Sequence, residues 1–268
     1  SHRDNLNKYK GEELQFKFMT NMDYEEYLWS RGENELANLI RESFNKRKTC
    51  PFHRLALDLF SEYLMTGGMP EVVAANISGL SAYKIDAIKQ KIKDIYIKEL
   101  TESTNLIDIE RSIAVFNSLP YQLKKDNRKF QYGLLGFGRR KKEYDNAISY
   151  LVNNQIAYRS YKITDVKSPL SSCRQPDSFK LYMNDEGILY SMLHLSQKEF
   201  MANEKVRQIL YENHIAKTLA EANYALYYYQ SEGKAEVDFV IQNRMGKIIP
   251  IELATISNSK AKSLSVFM

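Results

Sequence analysis

Residues 225–264, ALYYYQSEGKAEVDFVIQNRMGKIIPIELATISNSKAKSL, set the fold and the chemistry to look for. Three β-rich runs at about 225–230, 235–242 and 247–254 are punctuated by SEGK and NRMGK, and a helix is expected to start near Ser257. Strand side chains alternate between two faces, so Glu252 and Ala254 share one face while Ile251 and Leu253 share the other. Asp238 and Glu252 then stand on neighbouring strands as a candidate pair of carboxylates.

Working upstream, NEKVRQILYENHIAKTLAEANY from residue 203 reads as an amphipathic helix with Val206, Ile209, Ala216 and Leu219 on its buried stripe. Glu212 falls on the same stripe, three residues after Ile209 and four before Ala216. An unpaired buried carboxylate costs several kcal/mol, so an inward acid implies a metal, a cation or a hydrogen-bond network facing it.

Between 104 and 190 the pattern is helix, helix, hairpin. Ile109, Ile113 and Phe116 mark a first helix expected to stop before Pro120; Tyr144, Ala147, Ile148 and Leu151 mark a second. IAYRSYKI and SFKLYMND read as paired strands joined by a Pro/Ser-rich loop. This order resembles a winged helix, a unit that serves either DNA binding or protein packing. Between residues 124 and 142 eight cations, Lys124, Lys125, Arg128, Lys129, Arg139, Arg140, Lys141 and Lys142, face the single acid Asp126. Such a patch neutralises phosphates, or is a solvated loop and helix start.

Further upstream, residues 52–103 read as helices, the first ending at Gly67-Gly68 and the second beginning after Ser81, with Leu55, Leu59, Tyr63, Ile85, Ile88, Ile92 and Ile95 as apolar stripes. Asp23 is a plausible N-cap for YEEYLWSRG. The expected class is mixed α+β, divided into 1–51, a helical lid-like unit over 52–103, a winged-helix domain over 104–200 and a nuclease-like domain over 201–268.

The 268 residues are 44% apolar and 26% charged with a net charge of +5, enough to bury sizeable cores and compatible with nucleic acid. No apolar run is long enough to span a membrane, and none at the N-terminus resembles a signal peptide. Cys50 and Cys173 belong to no ligand cluster, and a reducing cytoplasm is expected.

Four stretches, YLMTGGMPEVV (63–73), FKLYMNDEGIL (179–189), LYENHIAKTL (210–219) and EVDFVIQ with IIPIEL (236–253), resemble in order and spacing the C-terminal half of bacterial and archaeal AAA-type ATPases that carry a C-terminal domain of unknown function. The resemblance implies a helical lid, a winged helix and a domain similar to PD-(D/E)XK nucleases. LQFKFMTNMDYEEYLWSRG would be the tail of the ATPase module, and the nuclease core would be truncated after SLSVFM. A Walker A loop needs Gly-Lys followed by Ser or Thr, whereas Gly233-Lys234 and Gly246-Lys247 precede Ala235 and Ile248, so ATP would bind only the module preceding this segment in the family. That module would also be the route to a homo-oligomer.

Carried onto this sequence, the resemblance implies Glu212 as the helix-borne acid and Asp238 and Glu252 as ligands of Mg²⁺ or Mn²⁺, helped by the Leu253 carbonyl. Ala254 replaces the lysine of those nucleases, for which Lys260 or Lys262 would substitute. The implied function is a DNA-binding, nuclease-like region impaired in cleavage. The alternatives are a metal-dependent endonuclease with a relocated lysine and a protein-interaction or assembly module. Asp238 and Glu252 would otherwise be strand acids paired with Lys234 or Lys247.

Overall fold

The computed structural model describes residues 19–103, 106–231 and 236–253. Helices α1 (Tyr24–Ser30), α2 (Asn34–Asn45), α3 (His53–Thr66), α4 (Pro70–Ile77), α5 (Ala82–Ser103), α6 (Leu106–Leu123) and α7 (Lys141–Asn153) precede the first described strand. Strands β1 (Ala157–Ile163) and β2 (Arg174–Met183) form an antiparallel pair, followed by α8 (Glu186–Met192), α9 (Gln197–Ala202) and α10 (Glu204–Glu221). Strands β3 (Leu226–Gln230), β4 (Glu236–Gln242) and β5 (Ile248–Ile251) complete a mixed α+β architecture.

The five strands form one sheet in the order β2-β1-β3-β4-β5. β1 runs parallel to β3, with Ser160 opposite Leu226 and Ile163 opposite Tyr229, so the hairpin expected as a wing is continuous with the C-terminal strands. Two prolines sit where a missing N–H is tolerated. Pro176 lies where the β1/β2 register breaks beyond Tyr161, and Pro250 lies on edge strand β5 opposite Val240.

α1 opens with the expected cap: Asp23 accepts from the Glu26 N–H at 2.8 Å and Glu26 returns a bond to the Asp23 N–H at 3.0 Å. α6 corrects the expectation at Pro120, which lies inside the helix. Proline forfeits one helical hydrogen bond there, but buried Phe116, Leu119 and Leu123 hold the final turn against the core. On α5 the isoleucine stripe is only half-buried, Ile95 is exposed, and Lys89 is the buried side chain. Its ammonium lies 5.4 Å from the Tyr190 ring centroid and donates to the Met65 carbonyl at 2.5 Å.

The main core joins α3, α6, α7, α8 and α10 to the sheet through Tyr63, Phe116, Leu151, Leu181, Leu189, Leu210 and Phe239, all of them buried. In the strand Tyr227-Tyr228-Tyr229, Tyr227 and Tyr228 lie on opposite faces and are both buried because the sheet is covered on both sides there.

Candidate functional site

α10 carries Glu212 inward, as the stripe predicts, with 1% of its surface exposed. The Tyr182 hydroxyl donates to Glu212 Oε1 at 2.5 Å, and the Lys180 ammonium lies 3.4 Å from the same oxygen. Arg128 pairs with Glu212 Oε2. Lys180 and Tyr182 are alternate residues of β2 and share a face, which turns both polar tips toward α10. Lys180 reaches further, donating to Glu236 Oε1 on β4 at 2.7 Å, with its ammonium 4.8 Å from the Tyr228 ring centroid.

Burial pushes the Lys180 pKa down, opposed by the carboxylates of Glu236 and Asp238. Burial pushes the Tyr182 phenol well above its ordinary value, which keeps it a donor. Two cations, a phenol and two carboxylates thus form one network drawn from the turn after α6, from β2, from α10 and from β4.

The acids inferred from the sequence meet different surroundings. Asp238, half-buried on β4, accepts from the Leu253 N–H at 2.8 Å, which ties the end of the β5 segment to β4. Glu252 follows the end of β5 and is half-buried. Among the described residues no group of three His, Cys, Asp or Glu side chains is arranged to hold a metal ion. Ala254, Lys260, Lys262 and the expected last helix lie outside the described residues, as does Lys234.

The basic segment divides. Lys124, Arg139, Arg140 and Lys142 are exposed, and no ion pair to them is formed among the described residues. Lys125 donates to the Gln131 side chain and Lys141 pairs with Asp177, while Lys129 is half-buried. Arg128 adopts a left-handed backbone with φ 46°, and its side chain turns inward to Glu212 with 17% exposed. Between the two halves of the segment, Phe137 projects from a loop flanked by Gly136 and Gly138, fully exposed beside Arg139.

A second buried network fixes the other end of α10. Lys217 donates to Glu186 Oε2 at 3.1 Å and to the Tyr63 hydroxyl at 3.1 Å, and His214 Nδ1 lies 2.7 Å from Glu186 Oε1. Burial raises the Glu186 pKa, but Lys217 and His214 outweigh it and hold the carboxyl down at about 2. Asp185 caps α8 through the Ile188 N–H at 2.9 Å and accepts from the Gly68 N–H at 2.9 Å and Asn21 at 3.2 Å. The Gly67-Gly68 turn therefore does more than end α3. A Cβ on Gly67 would lie 2.2 Å from Asp185 Oδ1, and one on Gly187 would lie 2.0 Å from the Thr66 carbonyl.

Residues 57–199 match the family model described as Domain of unknown function (DUF8612), which takes in just over half of the chain. The chain belongs to this family. Residues 208–268 match a second model, Domain of unknown function (DUF4143). The DUF8612 region supplies Arg128, Lys180 and Tyr182, and the DUF4143 region supplies Glu212 and Glu236, so the ion network spans the seam between them. No curated protein and no solved structure matches the chain.

Sequence reasoning missed Lys180 and Glu236 as members of this network. The alternation Phe179-Lys180-Leu181-Tyr182 did contain a sign, since a lysine between buried aromatic and aliphatic strand residues must find an acid or leave the sheet.

Proposed function

We propose that this chain is a DNA-binding region of an AAA-type ATPase, in which α6, α7 and the β1–β2 hairpin act as a winged-helix unit and the C-terminal half is a nuclease-like domain that no longer cleaves. The observation that carries the reading is the set of exposed cations around the start of α7, Arg139, Arg140 and Lys142 with Lys124 at the end of α6, which form no ion pair among the described residues. Such groups gain by releasing counterions from phosphates, whereas cations already paired with carboxylates do not. Arg128, turned toward Glu212, stands apart from this surface.

The loss of cleavage is read from Ala254 where the nucleases carry lysine, together with a Glu212 carboxylate already engaged by Arg128, Lys180 and Tyr182. Filter binding of duplex DNA across a salt series tests the reading. Retention at low salt that falls steeply as salt rises is expected; no retention at any salt concentration refutes it.

A second reading, a residual metal-dependent endonuclease, draws on Lys180. Its ammonium stands beside the acids where a relocated lysine would be needed. Mn²⁺-dependent nicking of supercoiled plasmid, lost in Asp238→Ala, would favour it.

A further inference from the structure

The nuclease-like reading implies a divalent ion held by Glu212, Asp238 and Glu252. Mg²⁺ and Mn²⁺ require several free oxygen ligands converging at about 2.0–2.2 Å, and a carboxylate gives its lone pairs to the metal only when they are not already taken. The described residues fit this poorly. Glu212 Oε1 receives the Tyr182 hydroxyl and the Lys180 ammonium, Glu212 Oε2 receives Arg128, and Glu236 Oε1 receives Lys180. Asp238 Oδ2 is bonded to the Leu253 N–H.

We propose that Arg128 and Lys180 replace the divalent ion of this site, making the acidic cluster a metal-independent ionic clasp between the DUF8612 and DUF4143 regions. The formal charges agree, because one guanidinium and one ammonium bring the two positive charges that a divalent ion would bring. The burial agrees as well. Lys180 and Glu212 are each about 2% exposed at the side chain, where a charge is tolerated only with its partner in place. A metal entering this pocket would have to displace Arg128 and Lys180 from the carboxylate oxygens they hold.

The connectivity gives the clasp a purpose. Arg128 follows α6 and Lys180 lies on edge strand β2, whereas Glu212 lies on α10 and Glu236 on β4. The pairs therefore tie the helical unit that bears the exposed cations to the helix and strand that bear the acids. The expectation of a metal rests on the nuclease-like reading; the clasp itself rests on the ion pairs.

The test is thermal unfolding of the 268-residue chain in EDTA, MgCl₂ and MnCl₂, with calorimetric titration of Mn²⁺ into the folded protein. For the unaltered sequence the midpoint is the same in all three and the titration shows only heat of dilution. Lys180→Met lowers the midpoint by several degrees, and Mn²⁺ recovers part of the loss because the released carboxylates now accept it. Adding Glu212→Gln to Lys180→Met abolishes the recovery. Arg128→Gln gives the same pattern should Lys180→Met fail to fold, and the titration of the unaltered chain decides the matter without any variant. Mn²⁺ binding by the unaltered chain overturns the proposal, as does a folded Lys180→Met protein indifferent to Mn²⁺. Filter binding of DNA on the same samples reports separately, since its absence refutes the DNA-binding reading and leaves the clasp standing.

Discussion

The Tyr182 hydroxyl donates to the Glu212 carboxylate at 2.5 Å across the interface between β2 and α10, and neither side chain reaches solvent. This bond makes the inward acid tolerable together with the two cations. Tyr182→Phe removes one charge-assisted donor while keeping the ring against Phe239, for an expected loss of about 1.5–3 kcal/mol. Glu212→Ala strips Arg128 of its carboxylate and leaves Lys180 with Glu236 alone, for a larger loss of about 3–5 kcal/mol. Urea unfolding of the two variants checks the order; equal losses would contradict it.

Close backbone approach sets a second prediction. Gly187→Ala drives a methyl into the Thr66 carbonyl, which cannot retreat without moving the end of α3, so a loss of about 3 kcal/mol is expected. Gly79→Ala meets no atom within 4 Å and is the control for space, although its positive φ of 72° carries a smaller backbone cost. Thermal midpoints of the two variants measure the difference.

The network at the other end of α10 predicts how stability follows pH. Glu186 is depressed to about 2 from an ordinary 4.5, so its contribution is complete above pH 4.5 and is lost as pH falls through 2. Glu221 has the opposite sign. Burial, with Glu186 pushing the same way against Lys217, raises it to about 7, so stability falls as pH rises from 4.5 through 7. Urea midpoints compared at about pH 5 and about pH 8 are expected to be lower at the higher value, and Glu221→Gln is expected to flatten that difference. Glu186→Gln acts at the acid end, where it reduces the slope below pH 4.5.

For DNA, Arg139→Ala and Arg140→Ala are expected to weaken binding to all sequences alike and to reduce the slope of log affinity against log salt by about 0.9 for each phosphate contact removed. Filter binding over a salt series measures both quantities. An unchanged slope would show that these arginines do not meet phosphates.

The inward position of Glu212 was legible because an α-helical stripe is local: Ile209 and Ala216 fix the buried face, and the acid falls on it. The three C-terminal strands were legible for the same reason, each carrying its own alternation and its own turn residues. The sheet was not. β1 pairs in parallel with β3 across the helices α8, α9 and α10, and such pairing leaves no mark in either strand's own sequence. Arg128 was misjudged on similar grounds, since a run of cations in sequence looks like one surface until a turn with a left-handed residue sends one of them inward. The part of Lys180 was hidden for the same reason, because this β2 residue reaches Glu236 on β4 only once the strands are assembled.

The central claim is that this chain holds DNA without cutting it. Supercoiled plasmid incubated with the protein and Mn²⁺, then run on a gel with and without prior removal of protein, reads both halves of that claim at once. The account predicts retarded plasmid that returns fully to the supercoiled position once the protein is stripped away. Nicked or linear product that disappears in Asp238→Ala would contradict it.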